Sequence, residues 1–347
     1  MNLWDFKVTF DGILENYVGE KVQQAQKLLN NEKLNKYIKY IETFIFSGGK
    51  RIRPYGLRIT YKGFGGEDEK AILNFWIMFE LFHTMALIHD DIIDQSEKRH
   101  NILTVHHYID SILDKSDRQI SEGQAILIGD LLISWVYELR YKHHEFPEDL
   151  LLEARKNVHE MIEEVILGQM IDVDMMGWGT TTPEMIEKKN MYKTAWYTFV
   201  RPMLTWAILA GADKEQQNLI TQLGTDLGLA FQIKDDLFDI IGGDKTKSLF
   251  SDIQDGQQTI FTNYIFEKGS PEDKELLASC MKKSLDEKEI QRLQDMFEYS
   301  WALEYGKNLI KKHADAAEAV LNKIKFTNED AHKGINTLIT KIADLKV

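Results

Sequence analysis

Apolar residues recur three and four positions apart along most of the chain, as in Phe75, Met78, Phe79 and Phe82. That is the period of a helix with one buried face, whereas half-buried strands alternate every second residue. No alternating run of Val, Ile and Thr bounded by Asn-Gly or Asp-Gly predicts a hairpin. The five prolines, Pro54, Pro147, Pro183, Pro202 and Pro271, leave long uninterrupted stretches for helices. Breaks fall at Ser47-Gly48-Gly49 and at 63–68, 116–117, 143–148, 177–183, 211–214, 242–258 and 269–273. Thr182-Pro183-Glu184 and Ser270-Pro271-Glu272 each read as an N-cap followed by proline in the first turn. The pattern predicts an all-α protein of roughly ten to twelve helices. With no linker, repeat or low-complexity segment, residues 1–347 read as a single domain, and the Phe75, Phe79 and Phe82 stripe as core.

Composition narrows the function more than the fold. Hydrophobic residues at 44% and charged residues at 28% supply a large core and exclude disorder as the dominant state. The net charge of −13, from 42 basic and 55 acidic residues, argues against a nucleic-acid partner, which needs a basic surface. A small phosphorylated substrate needs only a local basic patch and stays open. Cys280 is the one cysteine, so an intramolecular disulfide and a multi-cysteine metal site are excluded, and a reducing, cytoplasmic setting fits. The opening Met-Asn-Leu-Trp-Asp-Phe-Lys has an early acid and no apolar core, so no secretory leader is expected. The most apolar stretches, 75–88 and 125–139, are interrupted by Glu80, His83 and Asp130. Neither reaches the roughly 20 apolar residues of a membrane span, so no transmembrane segment is expected.

Two segments carry the chemistry. Asp90-Asp91-x-x-Asp94 and Asp235-Asp236-x-x-Asp239 share one pattern, and each directly follows an apolar helical stretch. The first and last aspartates of each set lie one helical turn apart on one face. Carboxylates crowded in this way repel one another unless a cation neutralises them. Oxygen ligands of this kind suit Mg²⁺, which is held by one or two carboxylates together with phosphate oxygens. One such motif alone reads as a solvated acidic helix end; two, each after an apolar helix, do not. Cations for anionic groups appear in Gly48-Gly49-Lys50-Arg51-Ile52-Arg53-Pro54, a basic turn entering a helix, and at Arg99, Lys193 and Lys247. Backbone N–H groups and arginine forks both suit phosphate oxygens. Together these residues describe a site for diphosphates.

The order Gly-Gly-Lys-Arg-x-Arg-Pro, Asp-Asp-x-x-Asp, Gly-Gln-x-x-Asp, Lys-Thr and Phe-Gln-x-x-Asp-Asp-x-x-Asp runs through residues 44–259. In this the chain resembles the trans-prenyltransferases, the isoprenyl diphosphate synthases, and is similar to farnesyl and geranylgeranyl diphosphate synthases. The resemblance implies an all-α bundle around a deep central cavity, a homodimer, and 1′-4 trans condensation of isopentenyl diphosphate with an allylic diphosphate. It implies Mg²⁺, three ions per active site with some delivered by substrate, held by Asp90, Asp91, Asp94, Asp235, Asp236 and Asp239. Arg99, Lys193 and Lys247 would contact the allylic diphosphate; Lys50, Arg53 and His83 would bind that of isopentenyl diphosphate. Thr194 and Gln232 match positions lining the site, and Gln169 and Asp172 match the Gly-Gln-x-x-Asp helix. Taken alone, His83 on an apolar helix reads as a core histidine, and Lys193 as a surface lysine.

Two positions depart from the family pattern. His100 stands where a second arginine for isopentenyl diphosphate is common, and Gln257 where a lysine is usual. Histidine carries only partial charge at neutral pH and lacks the guanidinium fork, so weaker isopentenyl diphosphate binding is expected. For product length, Met85 and Ala86 occupy the positions where short-chain enzymes of the family often place an aromatic, and Phe82 lies one turn deeper as a floor. That combination points to a C20 product, geranylgeranyl diphosphate, with farnesyl or longer products as the alternatives. A terpene cyclase and a catalytically silent partner subunit are the competing readings. The first lacks a reason for the Gly-Gly-Lys-Arg loop, and the second for six retained aspartates.

Overall fold

The computed structural model describes residues 3–49, 51–142, 146–177, 181–243 and 249–345. It divides into two compact units, the first made of Met1–Tyr55 and Asp68–Pro147, the second of Gly56–Glu67 and Glu148–Val347. Among the described residues there are sixteen α-helices, one π-helix and a single two-stranded hairpin. The helical class is as expected, but the helices are more numerous. Breaks at 281–286, 300–301 and 322–328 divide the C-terminal region further, and the 242–258 break itself holds a short helix.

The first unit begins with α1 (Leu3–Leu29), where Phe6, Phe10, Leu14, Val18 and Val22 are all fully buried at four-residue steps. That spacing keeps one stripe against the core for five turns. Asn31 caps α2 (Glu32–Phe46) by accepting from the Leu34 N–H. The break at Gly48-Gly49 precedes α3 (Ile52–Gly63), with Pro54 in its first turn; its residues from Gly56 onward belong to the second unit. α4 (Leu73–Ile93) is buried nearly all round through its first half, as a central helix must be. Its Phe75, Phe79 and Phe82 are core residues, and its Trp76 meets Phe6 and Phe10 edge-on at 5.0 and 6.0 Å. α5 (Val105–Ser111) and α6 (Arg118–Arg140) complete the unit, with α6 packed along α4.

Between α4 and α5 the chain makes a hairpin from β1 (Lys98–Arg99) and β2 (Ile102–Leu103), contrary to the expectation of none. Its tip is His100-Asn101, at φ of 49° and 65°. Two successive left-handed residues are what a tight two-residue turn requires, and Asn and His are among the non-glycine residues that tolerate them. Two residues per strand give no period to detect.

The second unit holds α7 (Glu148–Met175), α8 (Pro183–Asn190), the π-helix Met191–Val200, α9 (Arg201–Leu209) and α10 (Lys214–Ile241). α11 (Ser251–Asp255), α12 (Ile260–Lys268), α13 (Pro271–Cys280), α14 (Glu287–Tyr299), α15 (Ala302–Leu321) and α16 (Glu329–Ala343) follow. Thr182 and Ser270 cap α8 and α13 as their spacing predicts. Helical backbone runs without a gap from α8 through α9, and the widened π turns end beside Pro202, which cannot donate the next hydrogen bond.

Two glycines bring this π-helix close to its neighbours. A Cβ on Gly228 of α10 would lie 2.4 Å from the Ala195 Cα, and one on Gly168 of α7 would lie 2.6 Å from the Lys193 backbone nitrogen. No described helix is long and apolar enough to cross a membrane. Gly228→Val should therefore lower stability by about 1–3 kcal/mol through forced separation of the helices. Gly12→Ala, where an added Cβ meets nothing within 4 Å, should raise it by up to about 1 kcal/mol. Denaturant midpoints of the two variants check both signs.

Candidate active site

Each aspartate set occupies the last two turns of its helix. Asp90 and Asp91 lie at the end of α4 with Asp94 as its C-cap, and Asp235, Asp236 and Asp239 close α10. A helix C-terminus carries partial negative charge, so carboxylates there oppose the macrodipole. The arrangement is unfavourable without cations, as the spacing of the aspartates already implies.

In the first unit, Asp91 is fully buried. The Arg99 Nε and Nη2 both donate to its Oδ1, at 2.8 and 2.6 Å, and Nη2 stands 4.0 Å from Asp90 Oδ2. The Asp91 Oδ2 is buried with no hydrogen-bond partner. Burial pushes its carboxyl up to about 6 against the pull of Arg99. The hairpin brings Arg99 here: the Ser96 N–H donates to the Asp91 carbonyl, and Thr104 closes the loop through the Ser96 carbonyl.

The basic loop separates its charges. Arg51, at φ 51°, turns inward and is buried against Asp11 (2.7 Å) and Glu80 (2.8 Å), with the Ile45 carbonyl as a third acceptor. It locks the loop to α1 and α4 and is committed to these partners. Arg53 opens α3, while Lys50 lies outside the described residues. The His100 ring sits over Gly48, where an added Cβ would fall 2.5 Å from the imidazole. His83 is held well below its usual pKa, first by burial and then by Arg53, Arg99, Arg51 and His100. The structure thus gathers His83, Arg53, Arg99 and His100 into one basic cluster, with His83 as its neutral member. On α4, Phe82 is fully buried and Met85 nearly so, whereas Ala86 is half-buried on the face that leads to Asp90.

In the second unit, Thr194 on the π-helix donates to Gln232 Oε1 (2.7 Å), and the Gln232 Nε2 donates to Asp236 Oδ1 (2.6 Å). Burial pushes Asp236 up to about 7, with Lys189 and Gln232 opposing and Asp235 and Asp239 adding to the rise. Asp239 accepts from the Ser251 N–H and hydroxyl and from the Asp252 N–H (3.1 Å), so it also tethers α11. Lys193 reaches Asp172 Oδ2 at 2.6 Å, and Lys189 reaches Asp172 Oδ1 at 3.2 Å. Burial would raise the Asp172 pKa, but the two lysines hold it below the usual carboxylate range. Asp172 therefore stands behind Lys193 as its anchor. Gln169 is half-buried one turn earlier on α7, Gln257 is buried beside Asp252, and Lys247 lies outside the described residues. Lys189 is the residue that sequence reasoning missed; its only signal was a position one turn before Lys193.

Among the described residues no three His, Cys, Asp or Glu side chains converge into a metal cluster. The donors nonetheless fit Mg²⁺, since Asp91 keeps an orphaned buried oxygen and the remaining ligands of such an ion come from phosphate and water. In metal-free protein the raised Asp91 and Asp236 bind protons on folding, so their stabilising effect is complete below about pH 4 and is lost as pH rises through 6 to 7. Asp236→Asn should accordingly gain thermal stability on the wild type between pH 5 and 8, and Mg²⁺ with a diphosphate should reverse the gain. Melting curves across that range, with and without metal, test this.

The Polyprenyl synthetase family pattern matches residues 32–299. A geranylgeranyl diphosphate synthase of Sulfolobus acidocaldarius is 28% identical over 331 residues, covering 93% of this chain and 96% of that one. A geranylfarnesyl diphosphate synthase of Aeropyrum pernix is 25% identical over 306 residues, covering 86% and 91%. In fold, the chain is similar to a geranylgeranyl pyrophosphate synthase of Corynebacterium glutamicum, solved with isoprenyl diphosphate and magnesium, at a TM-score of 0.88 and 23% identity over 97% and 99% of the two chains. The match spans both aspartate sets, the basic loop and the Lys193-Thr194 pair, and by it the chain belongs to the polyprenyl synthetase family of trans-prenyltransferases.

Proposed function

We propose that the chain elongates an allylic diphosphate with isopentenyl diphosphate and releases geranylgeranyl diphosphate as its main product. The observation that carries this reading is a buried carboxylate held in place at the end of each of two helices: Asp91 by Arg99, and Asp236 by Gln232. Asp90, Asp91, Asp94, Asp235, Asp236 and Asp239 are the Mg²⁺ ligands in this reading, with three ions per active site. Bound Mg²⁺ would stabilise the negative charge of the departing diphosphate.

The chain's own groups do the rest. Arg99 and Lys193 take oxygens of the allylic diphosphate, Thr194 and Gln232 fix the Asp236 carboxylate, and Arg53 and His100 hold the diphosphate of isopentenyl diphosphate beside neutral His83. The allylic C1–O bond breaks with its electron pair leaving on the diphosphate. The alkene of isopentenyl diphosphate then bonds to C1 through its C4, and a proton leaves C2 for the released diphosphate. No side-chain base is required, and apolar walls protect the cation from water.

Half-buried Ala86 on the face of α4 below Asp90 leaves room for a growing chain, which supports a product of C20 rather than C15. The geranylgeranyl diphosphate synthases among the relatives support the same length, and the geranylfarnesyl diphosphate synthase, whose product is one isoprene unit longer, supports the longer alternative. Exposed Ile166, Leu167, Met170 and Val173 form one apolar face on α7, and Ile120, Ile126 and Leu127 are exposed on α6. These faces support a homodimer, because apolar side chains in such number are covered in stable assemblies. The family match running across both units supports a single catalytic domain. A cytoplasmic location agrees with the reduced Cys280.

The test incubates the protein with Mg²⁺, isopentenyl diphosphate and each of dimethylallyl, geranyl and farnesyl diphosphate, and separates the dephosphorylated products by length. A chelator-sensitive C20 product is expected, shortened to C15 in Ala86→Phe. Cyclic hydrocarbon from the primer alone, or no turnover with any primer, contradicts the reading.

A further inference from the structure

Lys188-Lys189 reads in the sequence as a solvated basic pair, but the two lysines have different fates. Lys188 is exposed, with its ammonium 5.8 Å from the Tyr192 ring centroid. Lys189 is buried, its ammonium 2.8 Å from the Gln258 carbonyl oxygen and 3.2 Å from Asp172 Oδ1. Asp172 gives its other oxygen to Lys193 at 2.6 Å, and the Lys193 side chain keeps 26% of its surface exposed. One buried carboxylate is therefore shared by an inner and an outer ammonium.

Burying a lysine is costly unless its charge is used. Were Asp172 paired with Lys193 alone, the couple would be neutral, and an incoming diphosphate would meet the Asp172 charge directly behind the ammonium. With Lys189 included, the three side chains sum to +1, and the positive end that reaches solvent is Lys193. Its backbone is also fixed, because Gly168 admits the Lys193 nitrogen against α7 where a Cβ would stand 2.6 Å away. We propose that Lys189 is a positioning residue whose buried charge cancels that of Asp172, so that Lys193 presents a full, oriented positive charge to the allylic diphosphate. This rests on the assignment of Lys193 to that diphosphate.

Two other roles make different forecasts. A purely structural Lys189 would fill space and satisfy the Gln258 carbonyl. A Lys189 acting through Asp236 would change the metal requirement.

The experiment is steady-state kinetics of the full-length protein with farnesyl diphosphate varied at saturating isopentenyl diphosphate and Mg²⁺, with circular dichroism to verify folding. Lys189→Met should raise the allylic KM roughly tenfold or more, with the KM for isopentenyl diphosphate unchanged and kcat less affected. Combining Lys189→Met with Asp172→Asn removes both charges and should bring the allylic KM back to within about threefold of wild type. A double variant as impaired as the single, an unchanged allylic KM in Lys189→Met, or a shift confined to the Mg²⁺ requirement would each overturn the proposal. Should the single variant fail to fold, the double, which leaves no buried charge unpaired, decides alone by the same KM. Lys193→Met separates the two levels of the argument. A raised allylic KM there upholds the Lys193 assignment whatever Lys189 does, and an unchanged one overturns that assignment and this proposal with it.

Discussion

Carboxylates withdrawn from water at the negative ends of two helices are the constraint around which this protein is arranged. Asp91 and Asp236 are each held up in pKa by burial, and each lies in a helix terminus whose dipole adds to the penalty. A fold retains such groups only where cations are supplied. Part of the supply is built in: Arg99 is paired with Asp91, and Lys189, whose ion pair is with Asp172, also counters the rise at Asp236, while the orphaned Asp91 oxygen leaves a place for a metal ion.

Much of the surrounding structure follows from bringing those built-in cations to the carboxylates. The short hairpin exists to return the chain over Asp91, and its left-handed tip places His100 on Gly48 of the basic loop. Arg51 is committed to two carboxylates that lock the same loop, leaving Arg53 as its other described cation, beside His83. In the second unit the widened turns of the π-helix carry both Lys193 and Thr194, and Gly168 and Gly228 let neighbouring helices approach closely enough for Asp172 and Gln232 to reach them. π turns recur at functional sites because they displace side chains from the ordinary helical register.

The helical class, the caps at Thr182 and Ser270, the Phe75, Phe79 and Phe82 core stripe and the two aspartate sets were all legible in the sequence. Each is a local pattern whose meaning is set by helix geometry. What was not legible depends on partners distant in the chain. Arg51 and Arg53 look alike in the basic loop, yet only Asp11 and Glu80, 40 and 29 residues away, make Arg51 structural. Lys189 differs from Lys188 only in being turned toward Asp172 and Gln258. The hairpin was too short for a period, and the π-helix changes hydrogen-bond register without any change in composition. Asp239 reads as a metal ligand by spacing, and its tether to Ser251 and Asp252 adds a second duty that the motif does not encode.

The claim that these carboxylates form a metal site only together with a diphosphate is tested most directly by calorimetric titration of Mg²⁺ into the protein. The titration is run with and without a non-hydrolysable farnesyl diphosphate analogue at pH 7.5. The expected result is weak binding to the free protein and tight binding in the presence of the analogue. Tight binding to the free protein, or affinity indifferent to the analogue, would contradict the account.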